Sequence, residues 1–227
     1  MLNFTPSDEQ VMLIDSVRAF IEKELRPHED MVEETGAVPP ELEKEIRRKA
    51  IEAGLYLRHL PEEWGGLGLD HVTQTLLTFE FSQASSGLTV CTGGPTYILT
   101  KCKGEQVDRY LNPALRGERA EAFALTEPNA GSDVGALRTR AEQEGDHYRI
   151  SGQKIFTTWG EHDFTENIVH MVLARTPNAP PGTRGISLFI VPKFLVNDGG
   201  SLGQRNDLRA VSLEHKLGIH GSPTCMM

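Results

Sequence analysis

The segment Phe123-Ala-Leu-Thr-Glu-Pro-Asn-Ala-Gly-Ser-Asp133 has the make-up of a strand that ends in an anion-receptive turn. The residue before Pro128 is confined to extended backbone, so the strand runs to Glu127 before turning through Asn129, Ala130 and Gly131. The strand end and the Gly131-Ser132-Asp133 turn offer free amides, small side chains and a hydroxyl, which suit a close pyrophosphate. On pattern alone, an ordinary strand-turn in which Thr126 and Asp133 bond their own backbone is the favoured reading. The second segment, Gly152-Gln-Lys-Ile-Phe-Thr-Thr-Trp-Gly160, reads as a strand with a polar end. Within it, Phe156, Thr157 and Thr158 combine an aromatic wall, a backbone edge and hydroxyls, as an isoalloxazine ring needs for stacking and hydrogen bonding. The alternative is a core phenylalanine beside surface threonines. Adjacent antiparallel strands, with His147–Ser151 between the segments, would bring the two ends together.

The order, spacing and wording of the two segments resemble the acyl-CoA dehydrogenase family, and the resemblance runs the length of the chain. It implies an FAD site in which Phe123, Leu125, Thr126, Gly131 and Ser132 contact the flavin pyrimidine side and pyrophosphate, while Phe156, Thr157 and Thr158 flank the ring. Many members carry Trp-Ile-Thr at the latter place, so Phe156 and Thr157 are departures that keep an aromatic face and a β-branched neighbour. Ser132 is also expected near bound acyl-CoA. The implied reaction is α,β-dehydrogenation of an acyl-CoA thioester, with electrons passing to an electron-transfer flavoprotein or similar acceptor. An acyl-CoA oxidase shares these motifs and differs in what reoxidises the flavin. The segments 160–163, 167–175 and 182–194 are similar to larger bacterial-type members, some of which act on methylthiopropionyl-CoA.

Elements able to position these segments are legible along the chain. Ser7 and Gln10 form a capping box before Val11, Leu13, Ile14, Val17, Phe20, Ile21 and Leu25, a helical pattern expected to stop at Pro27. A second helix is expected from Pro39-Pro40 to Gly54, then a glycine-rich loop around Pro61–Gly68 that lacks the strand and lysine of a phosphate cradle. Further helices are expected at 71–85, 88–101 and 105–115; Gly93-Gly94-Pro95 weakens the middle one. From Ala120 the texture turns to alternation, with strands expected at 121–125, 137–142, 147–156, 168–174 and 186–191. Helices followed by strands predict an α+β chain, with an all-helical domain over 1–119 and a middle domain over 120–227. The resemblance implies that the middle domain is β-barrel-like and that the chain is truncated before a C-terminal four-helix bundle. That bundle carries the family's catalytic base and much of the interface of its homo-oligomers. No glutamate here is assigned the base, and the chain is expected to need a complementing partner; a non-catalytic, split-gene fragment that binds flavin or a partner is the rival reading.

Composition bounds the remaining possibilities. With 227 residues, 38% hydrophobic and 24% charged, the chain suits a globular protein of one or two domains. A net charge of −9 argues against nucleic-acid binding without excluding FAD or CoA, whose phosphates respond to local fields. Cys91, Cys102 and Cys225 have neither metal spacing nor the count of a disulfide framework, and Glu161-His162-Asp163 reads as a loop rather than a metal site. No membrane span and no leader is evident in the sequence, so a cytoplasmic setting is expected.

Overall fold

A computed structural model describes residues 5–227. The leader reading rests partly on residues 1–4, which lie outside the described residues. The chain divides into two compact units, one of residues 1–100 with 216–222 and one of residues 101–215 with 223–227.

The first unit is helical. Helix α1 (Asp8–Phe20) begins at the expected box, in which Ser7 Oγ accepts from the Gln10 amide at 3.2 Å and Gln10 Oε1 accepts from the Ser7 amide at 2.9 Å. The helix does not stop at Pro27. It widens to a π turn over Ile21–Leu25, tightens to a 3₁₀ turn over Arg26–His28 and resumes as α2 (Glu29–Thr35), which ends on Gly36 at φ 68°. The wide turn absorbs the missing proline donor without expelling Ile21 and Leu25 from the core. Helix α3 (Pro40–Glu52) and helix α4 (His71–Phe81) follow. Gln10 Nε2 donates to Thr73 Oγ1 at 2.9 Å, while the Arg18 guanidinium grips Glu80 through two bonds of 2.8 and 2.9 Å, so α1 and α4 are pinned at both ends.

The helix expected over 88–101 is replaced by short pieces: α5 (Ser86–Thr89), a 3₁₀ turn at Val90–Thr92, an irregular Gly93–Ile98 stretch and a further turn at Leu99–Lys101. Here the chain passes close to Tyr56 and Leu57: the Gly94 amide donates to the Tyr56 carbonyl at 2.8 Å, and a Cβ on Gly94 would lie 2.6 Å from Leu57 Cδ2 and 3.1 Å from Tyr56 Cε1.

Glu43 on α3 is wholly buried. Its Oε1 accepts from Arg47 at 2.7 Å, but Oε2 has no partner, and burial raises the carboxyl to about 7 against the opposing pull of Arg47. A raised carboxyl binds its proton more tightly folded than unfolded. Its favourable contribution is therefore complete below the ordinary value of 4.5 and is lost as pH rises through about 7. Glu43→Gln is expected to flatten the pH dependence of unfolding between those limits, as followed by denaturant titration; an unchanged profile would show that Glu43 is ionised throughout.

The second unit opens with a helical turn running to α6 (Asn112–Leu115). Strand β1 (Arg119–Ala124) then pairs in parallel with β5 (Asn167–Ala174), and β5 pairs antiparallel with β6 (Ser187–Pro192). All but one residue of β5 is buried, as expected for a central strand covered on both faces. Between them β2 (Arg140–Glu144) and β3 (His147–Ser151) form a hairpin turning at Gly145, φ 64°. The strand expected to continue from 147 to 156 ends at Ser151, and a separate two-residue strand, β4 (Thr157–Thr158), follows. Strands β7 (Phe194–Val196) and β8 (Leu202–Arg205) make a second hairpin, and β10 (Thr224–Met226) bridges β4 and β9 (Ser212–Leu213). The expected helical-then-sheet order therefore holds, but the strands form small open sheets, with no closed barrel among the described residues.

Candidate functional site

The two chemistry-bearing segments meet in the second unit, by a route other than antiparallel strand neighbours. Strand β1 pairs in parallel with β5, yet packs against β4 as well. Just beyond β1, the Ile155 amide donates to the Thr126 carbonyl at 2.9 Å, and this backbone bond joins the segments.

A buried polar cluster lies behind that join. The Glu127 carboxylate accepts from the Arg138 amide at 2.6 Å, the Thr139 amide at 2.9 Å, the Thr139 hydroxyl at 2.6 Å and the Lys154 ammonium at 2.8 Å. Lys154 Nζ also donates to the Leu125 carbonyl at 3.0 Å, and the Lys154 backbone exchanges bonds of 2.8 and 2.7 Å with Met227. Burial pushes Glu127 up, but the ammonium, hydroxyl and two amides outweigh it and hold the carboxyl down to about 2. Burial lowers Lys154 below the ordinary lysine range against the pull of Glu127. Sequence reasoning placed Glu127 inside the motif without giving it a role and passed over Lys154; the available signal was that Glu127 adjoins Thr126 and Lys154 lies two residues before Phe156.

The outward-facing residues present a different chemistry. Phe123 and Phe156 are 38% and 59% exposed, so each of the two joined segments presents an aromatic ring to solvent. Phe156 sits at φ 57° and Trp159 at the same value, so left-handed residues bracket Thr157 and Thr158. A bulky side chain held there costs of order 1 kcal/mol or more, the kind of strain that concentrates at ligand sites. The Glu127–Ala130 turn closes through paired backbone bonds of 3.1 and 3.0 Å and delivers Gly131, Ser132 and Asp133 to the surface. A Cβ on Gly131 would meet nothing nearer than Thr126 Cγ2 at 3.8 Å, so packing within the chain does not demand glycine there. Ser132 has no hydrogen-bond partner among the described residues. Beside the turn, a crevice of about 220 Å³ is lined by Glu127, Pro128, Asn129, Ala136, Arg138, Thr139, Gly152 and Gln153. Exposed rings, an unobstructed glycine and an unpartnered serine fit a flat aromatic cofactor with an anionic tail.

Thr157 and Thr158 part company in β4. Thr158 is exposed, whereas Thr157 is 1% exposed and its Oγ1 is buried without a partner. A cofactor on the outer face would meet Thr157 through its main chain. An unsatisfied buried hydroxyl is costly, so Thr157→Val, which replaces it with a methyl of the same shape, is expected to stabilise the chain by about 1 kcal/mol. Thermal or denaturant unfolding measures this; a loss of stability would mean that the hydroxyl has a partner in solution.

Gly160 closes the second segment. Its carbonyl lies 2.7 Å from His170 Nε2, while His170 Nδ1 lies 3.1 Å from the Val191 carbonyl, and burial lowers the imidazole despite both carbonyls. The ring ties the segment's end to β5. Among the described residues, no three metal-ligating side chains cluster, and no helix is long and apolar enough to cross a membrane.

Residues 7–118 match the N-terminal domain of acyl-CoA dehydrogenase and residues 122–227 match its middle domain. The chain belongs to the acyl-CoA dehydrogenase family. It is 44% identical over 195 residues to the 3-methylmercaptopropionyl-CoA dehydrogenase of Ruegeria pomeroyi, covering 84% of this chain and 33% of that protein. It is 36% identical over 226 residues to a 3-(aryl)acrylate reductase of Clostridium sporogenes, covering 97% of this chain and 54% of the relative. Among solved structures, a glutaryl-coenzyme A dehydrogenase in complex with glutaryl-CoA superposes with a TM-score of 0.78 at 29% identity, over 99% of this chain and 54% of that one. The chain thus spans between a third and just over half the length of these relatives.

Proposed function

We propose that this chain provides the N-terminal and middle portions of an FAD-dependent acyl-CoA dehydrogenase, with the functional division at residues 119/120. The observation that carries the reading is the joining of Thr126 and Ile155 by a backbone bond that sets the strained, exposed Phe156 beside the Gly131-Ser132 turn's own segment. Phe123, Leu125 and Thr126 would hold the flavin's pyrimidine side, Gly131 and Ser132 its pyrophosphate, and Phe156, Thr157 and Thr158 the face and edge of the ring. Ser132, unpartnered and exposed, would also serve the thioester substrate. When bound, FAD supplies the acceptor for the β-hydride lost as the acyl-CoA becomes its enoyl product. The residues of this chain orient the ring and exclude water from one face; Glu127, with its oxygens engaged by four donors, is not the base that takes the α-proton. We assign that base to no residue of this chain. Acyl-CoA as substrate, an electron-transfer flavoprotein as acceptor, a homo-oligomeric or complemented assembly and a cytoplasmic setting complete the proposal.

The test is an absorbance titration of the purified chain with FAD, followed by anaerobic addition of 3-methylmercaptopropionyl-CoA or butyryl-CoA. A perturbed flavin spectrum that does not bleach supports a cofactor site without its base. Bleaching would place a base within this chain, and absence of flavin binding would overturn the site.

A further inference from the structure

We propose that Glu127 and Lys154 form a positioning clamp that fixes the two cofactor-facing segments against each other, an inference that rests on the reading above for its functional meaning. The geometry points to this pair because its members flank the backbone bond that joins the segments. Glu127 follows Thr126, the acceptor, and Lys154 precedes Ile155, the donor. Both side chains turn inward, with 7% of Glu127 and 4% of Lys154 exposed, while Phe156 turns out. One carboxylate therefore gathers the first segment, the Arg138-Thr139 approach to β2, and the second segment through its own four bonds.

The clamp also accounts for the left-handed turn at Phe156. A residue at φ 57° relaxes unless its neighbours over-determine it. On the preceding side, Lys154 is fixed by its ion pair, by the Leu125 carbonyl and by two backbone bonds to Met227. On the following side, Thr157 is paired with Cys225 in β10, and the Trp159 amide donates to the Pro223 carbonyl at 2.8 Å. Gly152 lets the second segment approach, since a Cβ there would lie 2.3 Å from Thr139 Oγ1 and 2.9 Å from Thr139 Cα. A buried ion pair is a poor source of net stability compared with apolar packing of equal volume, but it is strict about geometry, and removing one partner leaves the other uncompensated. A pair kept at this place serves register.

Glu127→Gln, Lys154→Met and the milder Thr139→Val test the clamp in the full chain, with Arg119→Met as a control. Arg119 is a buried arginine at the first position of β1, and its side-chain bonds go to Glu166 and the carbonyls of Arg109 and Gly200, none of them in these segments. Two readouts are taken: the dissociation constant and visible circular dichroism of added FAD, and hydrogen exchange of the Ile155 amide without FAD. The clamp variants are expected to weaken FAD roughly ten- to hundredfold, as loss of a supporting outer shell commonly does, to alter the flavin dichroism and to speed Ile155 exchange. The control, at matched loss of global stability, is expected to leave the dichroism and the relative protection of Ile155 unchanged. A folded Thr139→Val or Glu127→Gln chain with wild-type FAD affinity and wild-type Ile155 exchange overturns the clamp. If the wild-type chain binds no FAD, the cofactor reading fails by itself and the exchange readout alone decides the clamp.

Discussion

Phe156→Gly is expected to cost about tenfold in FAD affinity while changing the stability of the chain by less than about 1 kcal/mol. Two opposing terms underlie the second figure. Glycine relieves the left-handed strain at φ 57°, and its greater freedom in the unfolded chain takes back a similar amount. Little packing is lost, because 59% of Phe156 already faces solvent. Flavin affinity has no such compensation, since the ring itself would be the stacking wall. Phe156→Ala isolates the ring: it removes the stacking wall yet keeps a Cβ in the left-handed conformation, so it should match the glycine variant in affinity while its stability stays within about 1 kcal/mol of the other two chains. Fluorescence titration with FAD and denaturant unfolding on the three chains give both numbers. Equal affinity in all three would exclude Phe156 from the cofactor site.

Gly66→Ala should be severe for a wholly different reason. An added Cβ would stand 1.9 Å from the Leu60 carbonyl oxygen, 2.4 Å from its carbon and 2.7 Å from the Leu57 carbonyl oxygen. All three are backbone atoms of the same turn, so no rotamer change relieves the overlap. The turn depends on bonds from the Gly66 amide to Pro61 and from the Gly68 amide to Leu60, at 3.1 Å each. The expected loss is about 3 kcal/mol, at the upper end for overpacking because backbone must move. Chemical denaturation of the variant provides the check. A small effect would reopen the reading that this glycine-rich loop exists to approach a ligand rather than its own chain.

Local signals carried most of the helical unit. The Ser7–Gln10 box names the start of α1 because a cap is a contact between residues three apart, and Pro39-Pro40 names that of α3 because the fixed φ of proline suits the first helical position. Pro27 misled because proline forbids one donor, not a change of helical pitch, and the π turn at Ile21–Leu25 accommodates it. The helix expected over 88–101 failed at Gly93-Gly94-Pro95, where the competing demand is the approach of Tyr56 and Leu57 from elsewhere in the sequence. In the sheet unit the same limit is sharper. Alternation located β1, β5 and β6, but the parallel partnership of β1 and β5 is a long-range choice that no window contains. The residues proposed for the site rest on family wording, whereas the Glu127–Lys154 pair spans 27 positions and shows itself only once the chain is folded.

The cysteines acquire a practical meaning from the division of the chain. Cys91 belongs to the helical unit and Cys225 to the sheet unit, none of the three cysteines is in a disulfide, and both of these are buried to within 1%. Burial raises the Cys91 thiol further from its reactive thiolate. Alkylation at either position must therefore wait for the surrounding unit to open. Pulsed thiol labelling read by peptide mass would time the opening of each half separately, using reporters already written into the chain.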